Sequence, residues 1–154
     1  MDKTLVWKKA REYVGSPFHQ QGRIKGKGID CVGIVLCVGQ DLGLHYRDGR
    51  PIGAFDYMDY GLFPVLDEMQ REAQRIFVAK PGGLADLEAG DILTLRAPFL
   101  VHHMAIVSEL EGGLGIIHSL AYRVRGHANG KVVEHLLDRV WKSRVAGVFS
   151  YADL

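Results

Sequence analysis

Residues 28–43 read GIDCVGIVLCVGQDLG. From Cys31 to Leu42 this stretch is apolar on nearly every side, so the spacing predicts a helix over 31–42 that is buried all round. Asp30 stands at the N-cap position and Gly43 where such a helix stops. Cys31 therefore falls in the first turn. A thiol there feels the positive end of the helix dipole and backbone N–H groups that have no intrahelical partner. Both favour the thiolate, the reactive form of cysteine. The same N–H groups could stabilise an oxyanion on an attacked carbonyl. Cys37, in mid-helix, has neither feature and reads as a structural thiol. Six residues on one helix give roughly 9 Å of rise. A disulfide tolerates a Cα separation of about 4.4–6.8 Å, so both thiols are expected to be free.

On the N-terminal side, Leu5, Val6, Ala10, Tyr13 and Val14 recur at near-helical spacing, and Gly15-Ser16-Pro17 ends a helix predicted over 4–14. A glycine-punctuated loop, Phe18 to Ile29, then runs straight into Cys31. Its charges, Arg23, Lys25 and Lys27, read as a solvated surface. On the C-terminal side, residues 44–63 are turn-rich and aromatic (Tyr46, Phe55, Tyr57, Tyr60, Phe63) and suggest no regular element. A helical period resumes over 65–78 and closes at Pro81-Gly82-Gly83. Beyond residue 90 the pattern changes to short β-type runs: Asp91–Arg96, His103–Ser108, Leu114–Ser119, Lys131–Glu134 and Arg144–Tyr151. Turn signals such as Glu111-Gly112-Gly113 and Asn129-Gly130 separate them, as in an antiparallel meander. Helices first and strands second predict an α+β domain spanning residues 1–154.

A thiolate needs a base. The seven histidines are His19, His45, His102, His103, His118, His127 and His135. His103, Ala105 and Val107 share one face of a strand, and the small Ala105 would let a helix pack close to that face. His102 points the other way if the strand includes it. His118 ends the next strand, so adjacent antiparallel strands can set it beside His103. Such a pair fits a general base with an orienting partner on its second nitrogen. Zinc on Cys31, His103 and His118 is the rival use of these residues, but their spacing matches no common zinc signature.

The chain has 154 residues, is 47% apolar and 24% charged, and carries a net charge of +1, a balance with no electrostatic footprint for nucleic acid or a membrane surface. Lys3, Lys8, Lys9, Arg11 and Glu12 interrupt the start where the apolar core of a secretion signal would lie. No apolar run approaches the ~20 residues that span a bilayer. The protein is thus expected to be made in the cytoplasm and to need another carrier if it acts elsewhere.

Several of these segments together resemble the NlpC-type cell-wall cysteine peptidases. YVGSPFHQQGRIKGKGIDCVG, residues 13–33, is similar to that family's G-x-P-Y segment, Gly-rich stretch and D-C-S-G. Gly90-Asp91-Ile92-Leu93 resembles its G-D-L-V strand, His103-Met104-Ala105-Ile106 its H-V-G-I motif, and Gly115-Ile116-Ile117-His118-Ser119 the strand bearing its third polar residue. The resemblance implies a papain-like fold, with the nucleophile helix packed on an antiparallel sheet. It implies Cys31 as nucleophile, His103 as base, His118 as orienter, and no metal or organic cofactor. The implied substrate is the peptidoglycan stem peptide, commonly cut between D-glutamyl and a diamino acid. PFHQQGRIKGKGIDCVGIV and the ending VVEHLLDRVWKSRVAGVFSY look like the phage-tail and gene-transfer-agent branch, which would make phage tail proteins the partners and the carrier to the wall. Phe18, with His19 beside it, replaces the family's tyrosine, and Val32 replaces its serine. Both positions would face substrate, so both bear on peptide specificity. Asp30 reads first as a helix cap and second as a contact for a substrate amine. Two other readings use the same fold: a tail or wall-binding module that has lost activity, and an acyltransferase with an acceptor other than water.

Overall fold

The computed structural model describes residues 1–54, 56, 66–97, 100–121 and 130–154, with backbone only at 66, 67, 97 and 100–102. The element order is α1 (Thr4–Arg11), β1 (Arg23–Ile24), β2 (Gly28–Ile29), α2 (Cys31–Asp41), α3 (Leu66–Ile76), β3 (Val78–Ala79), β4 (Ile92–Ala97), β5 (Leu100–Leu110), β6 (Gly113–Ser119), β7 (Val132–Leu136), α4 (Arg139–Ser143) and β8 (Val145–Ser150). The α+β class follows directly: three helices precede the main strands. Phe55, Tyr57, Tyr60, Phe63 and His127, and the side chain of His102, lie outside the described residues.

The main sheet has six strands in the order β3-β8-β4-β5-β6-β7. Four of them, β4 to β7, form the expected antiparallel meander. The fifth run does not extend it: β8 crosses back to pair with β4, Ile92 opposite Phe149. This leaves β7 as an edge strand and places β4 and β5 centrally, where Leu93, Leu95, Ala105 and Val107 are fully buried.

The strand period of two sorts the core into two layers. On one face Ile92, Met104, Ile106, Ile117 and Phe149 pack with Ile34, Val35 and Val38 of α2 and with Val6 and Ala10 of α1. On the other, Leu93, Ala105, Val107 and Ile116 pack with Leu137 and Trp141 around α4. Helix α2 therefore packs on the Met104–Ile106 face, not on the His103–Ala105–Val107 face that the small Ala105 suggested. The bulky apolar residues of α2 need equally bulky partners, and Met104 and Ile106 supply them.

Helix α2 is buried from Gly33 to Gly39, as its composition predicted. Gly43 ends it at φ +64, and the Leu44 N–H reaches back to the Gly39 carbonyl at 2.9 Å. Helix α1 ends at Arg11, three residues early, and its buried stripe is Val6, Trp7 and Ala10, while Leu5 and Val14 are exposed. Tyr46 is fully buried against Phe77, with ring centroids 6.2 Å apart.

A buried charge cluster fixes the start of β4. The Asp91 carboxylate, with no exposed surface, accepts from Lys3 Nζ at 2.8 Å, Lys80 Nζ at 2.9 Å and the Glu88 N–H at 2.9 Å. Gly90 precedes it at φ +97, where an added Cβ would lie 2.8 Å from the Lys3 backbone. Replacing Asp91 with alanine leaves Lys3 and Lys80 to share the exposed Glu88 carboxylate and removes the acceptor of the Glu88 N–H, so a loss of about 2 kcal/mol is expected in urea unfolding.

Candidate active site

The site begins at the junction of a pinned loop and α2. Ser16 to Phe18 runs beside the start of β7: the Val132 N–H donates to Ser16 O at 2.9 Å and the Phe18 N–H to Gly130 O at 2.8 Å. Phe18 also bridges Ile29, two residues before Cys31. The Ser119 hydroxyl at the end of β6 donates to Ile29 O at 2.6 Å. The loop that delivers Cys31 is thereby tied to the sheet that carries the histidines.

Asp30 is the N-cap the sequence predicted. Its Oδ1 accepts from the Gly33 N–H at 2.7 Å and from Arg23 Nη1 at 2.9 Å, and its Oδ2 accepts from the Gln21 N–H at 2.7 Å. Gly33 is needed here, because a Cβ would lie 2.5 Å from Gly22 O. Arg23 is no solvated loop charge. It bridges Asp30 to Asp56, with Nε to Asp56 Oδ2 at 2.9 Å and Nη2 to Oδ1 at 3.0 Å. Lys25 pairs with Glu12 at the surface.

The backbone N–H groups of Val32 and Met104 both act on the Cys31 thiol in favour of its charged form. Met104 directly follows His103, so the thiol meets β5 at the level of the expected base. Burial pushes the thiol up to about 12, with the Asp30 charge adding to it and the two N–H groups and Arg23 opposing. The thiolate expected from the helix N-terminus is thus not the resting form. Desolvation outweighs the dipole, and ionisation at neutral pH requires a base that takes the proton. Cys37 is buried, with its thiol on Arg23 O at 3.4 Å and pushed up to about 11 mainly by burial. Both thiols are free.

The histidines stand on the opposite face of the sheet from α2. His103 Nε2 and His118 Nδ1 are 2.6 Å apart, as the strand pattern predicted. The sequence reading did not reach the next member. His118 Nε2 is 2.7 Å from His135 Nε2, and His135 Nδ1 is 2.9 Å from Leu136 O. Ile106 pairs with Ile117 and Ile116 with His135, so the three rings descend diagonally across β5, β6 and β7 on one face. The available signal was alternation: Val133 and His135 share a face, one residue past the predicted end of that strand. Trp141 of α4 covers the row, with ring centroids 4.9 Å from His118 and 5.3 Å from His135. The Asp138 carboxylate caps α4 by accepting the Trp141 backbone N–H at 2.9 Å.

Full burial lowers the His118 pKa well below its ordinary value of 6.5, and the His103 and His135 rings add to the effect. The unfolded chain binds a proton below 6.5 that the folded chain refuses, so stability is intact above that pH and falls as pH drops toward the folded value. The expected loss is about 1.4 kcal/mol per pH unit. Urea midpoints at pH 7 and 5 check this, and a His118→Phe variant should lose that part of the slope.

The remaining predicted residues lie around the loop. Val32 is half-buried against the core layer that holds α2. Phe18 is half-buried, and His19 is exposed with Nδ1 2.9 Å from Gln20 O. His19 packs on Gly28, where an added Cβ would come within 2.6 Å. Of the two cleft walls expected, the loop from Phe18 flanks the site, but Tyr46 belongs to the core.

No protein-family model and no curated protein sequence matches the chain. Solved structures do. The NlpC/p60 domain of the peptidoglycan hydrolase SagA superposes with a TM-score of 0.56 at 21% identity, covering 97% of this chain and 99% of that one. The fold is the papain-like fold of the NlpC/P60 proteins. A Staphylococcus aureus protein described as similar to lipoprotein of the NLP/P60 family (SAV0400) shares this fold with a TM-score of 0.52 at 19% identity. That match covers 97% of this chain, which spans 42% of the staphylococcal chain. Both NlpC/P60 structures bear out the sequence expectation of an antiparallel sheet with helices packed on it.

Proposed function

We propose that this protein is a cysteine peptidase that hydrolyses amide bonds in bacterial peptidoglycan stem peptides. The observation that supports the reading is the pairing of Cys31, in the first turn of α2 behind its Asp30 cap, with a His103 whose Nε2 is already engaged by His118. That engagement leaves Nδ1 as the nitrogen for proton transfer. His103 Nδ1 takes the Cys31 proton as the sulfur attacks the carbonyl carbon. The oxyanion meets the backbone N–H of Cys31 at the open turn of α2. His103 gives its proton to the leaving amine as the C–N bond breaks, which leaves a thioester. Water then loses a proton to His103 and attacks, and the C–S bond breaks to return the thiol. His118 fixes the ring and tautomer of His103.

The peptidoglycan substrate is supported by the SagA domain, a peptidoglycan hydrolase of the same fold. The bond between D-glutamyl and the diamino acid rests on the resemblance of the ordered motifs at 13–33, 90–93, 103–106 and 115–119 to the family, and delivery by a phage tail particle on the resemblance of residues 17–35 and 132–151 to its phage-tail branch. In this reading Phe18, His19 and Val32 are the substrate contacts, and the buried Asp30 serves as the cap of α2 and only second as a contact for a substrate amine. Incubating the protein with labelled synthetic stem peptide tests the reaction class. Hydrolysis gives the free acid at one new terminus. A new amide or ester would point to the acyltransferase, and unchanged peptide to a binding module.

A further inference from the structure

We propose that His135 is a positioning residue that sets the proton on every ring of the histidine row, through its bond to the Leu136 carbonyl. The inference deepens the peptidase reading and rests on it for its catalytic meaning. A carbonyl oxygen only accepts, so His135 Nδ1, 2.9 Å from Leu136 O, must carry a hydrogen. A neutral His135 then has a bare Nε2, which accepts. Its partner at 2.7 Å, His118 Nε2, must donate. His118 is held neutral by its burial, so its Nδ1 is bare and accepts. The next partner, His103 Nε2 at 2.6 Å, must therefore be the donor. A neutral His103 with hydrogen on Nε2 has its lone pair on Nδ1. One backbone carbonyl on an edge strand thus selects the tautomer in which His103 can act as a base.

His118 alone does not make this choice. Either of its tautomers can hold one hydrogen bond to His103, and the reverse one would put hydrogen on His103 Nδ1 and remove the base. The reversal requires His135 Nε2 to donate, which would leave Nδ1 bare against the Leu136 carbonyl, two acceptors 2.9 Å apart. Trp141 packs against the His118 and His135 rings, with centroids 4.9 and 5.3 Å away, and holds them in the row.

The test is imidazole nitrogen NMR on the whole protein, read beside steady-state kinetics. In the unsubstituted protein at pH 8, hydrogen is expected on Nδ1 of His135 and on Nε2 of both His118 and His103. In His135→Leu the single tautomer of His118 should give way to a mixture, with kcat falling about 10- to 100-fold at unchanged KM. His135→Gln, whose side-chain oxygen can accept from His118 Nε2, should restore both the tautomer and kcat. Hydrogen on His135 Nε2 in the unsubstituted protein would overturn the proposal. So would a His135→Leu variant with the original His118 tautomer and full kcat. The NMR pattern decides the direction of the row even if the protein cleaves no stem peptide, so failure of the peptidase reading and failure of this one are separable.

Discussion

A His103→Ala variant is expected to lose about 10⁴-fold in kcat/KM, the scale seen when a nucleophile loses its working base. The reason lies in the thiol. Burial holds Cys31 up at about 12, so without a base the thiolate fraction at pH 7 is about one in 10⁵. In the proposed mechanism, proton transfer to His103 inside the site supplies the nucleophile at neutral pH. Iodoacetamide labelling separates these states without any substrate. The unsubstituted protein should label Cys31 with an inflection near neutrality. The variant should label negligibly at pH 7, with a rate that climbs tenfold per pH unit toward 10. A variant that keeps the neutral inflection would show that another group takes the proton.

Replacing Cys31 with alanine is expected to abolish peptide cleavage, a loss of about 10⁴-fold or more, with the fold retained. The Cys31 side chain contributes packing at the margin of the core that holds α2. The start of α2 is held by Asp30, Gly33, Gln21 and Arg23, and none of those bonds involves the Cys31 side chain. The unfolding free energy from urea titration should fall by no more than about 1 kcal/mol, the effect of one truncated half-buried side chain. Cys37 gives the contrast: Cys37→Ala should keep cleavage intact and cost more stability, because that thiol is buried against Arg23 O.

Much of this site was legible in the chain because periodicity is local. The all-round apolar run after Asp30 predicted α2 and its cap within a residue, and period-two runs predicted five of the six strands of the main sheet. Short elements carried too little period to be read. Strand β3 has two residues and α4 has five, so Trp141, which covers the histidines, had no visible place. Arg23 was misread for another reason: its partner Asp56 lies 33 positions away, and charge pairs at that distance leave no pattern. The ionisation of Cys31 was misread because the helix dipole is visible in a sequence and desolvation is not. His135 was missed because register between strands is set by the fold as a whole, although its alternation with Val133 pointed to the right face.

The central claim, that Cys31 cleaves the stem peptides of peptidoglycan, is tested most directly by digesting purified cell walls with the unsubstituted protein and with Cys31→Ala in parallel and reading the released muropeptides by mass spectrometry. The account predicts stem fragments with one new free carboxyl and one new free amine, ending at the D-glutamyl residue, and none from the variant. Equal release by both proteins, or no new termini with either, would contradict it.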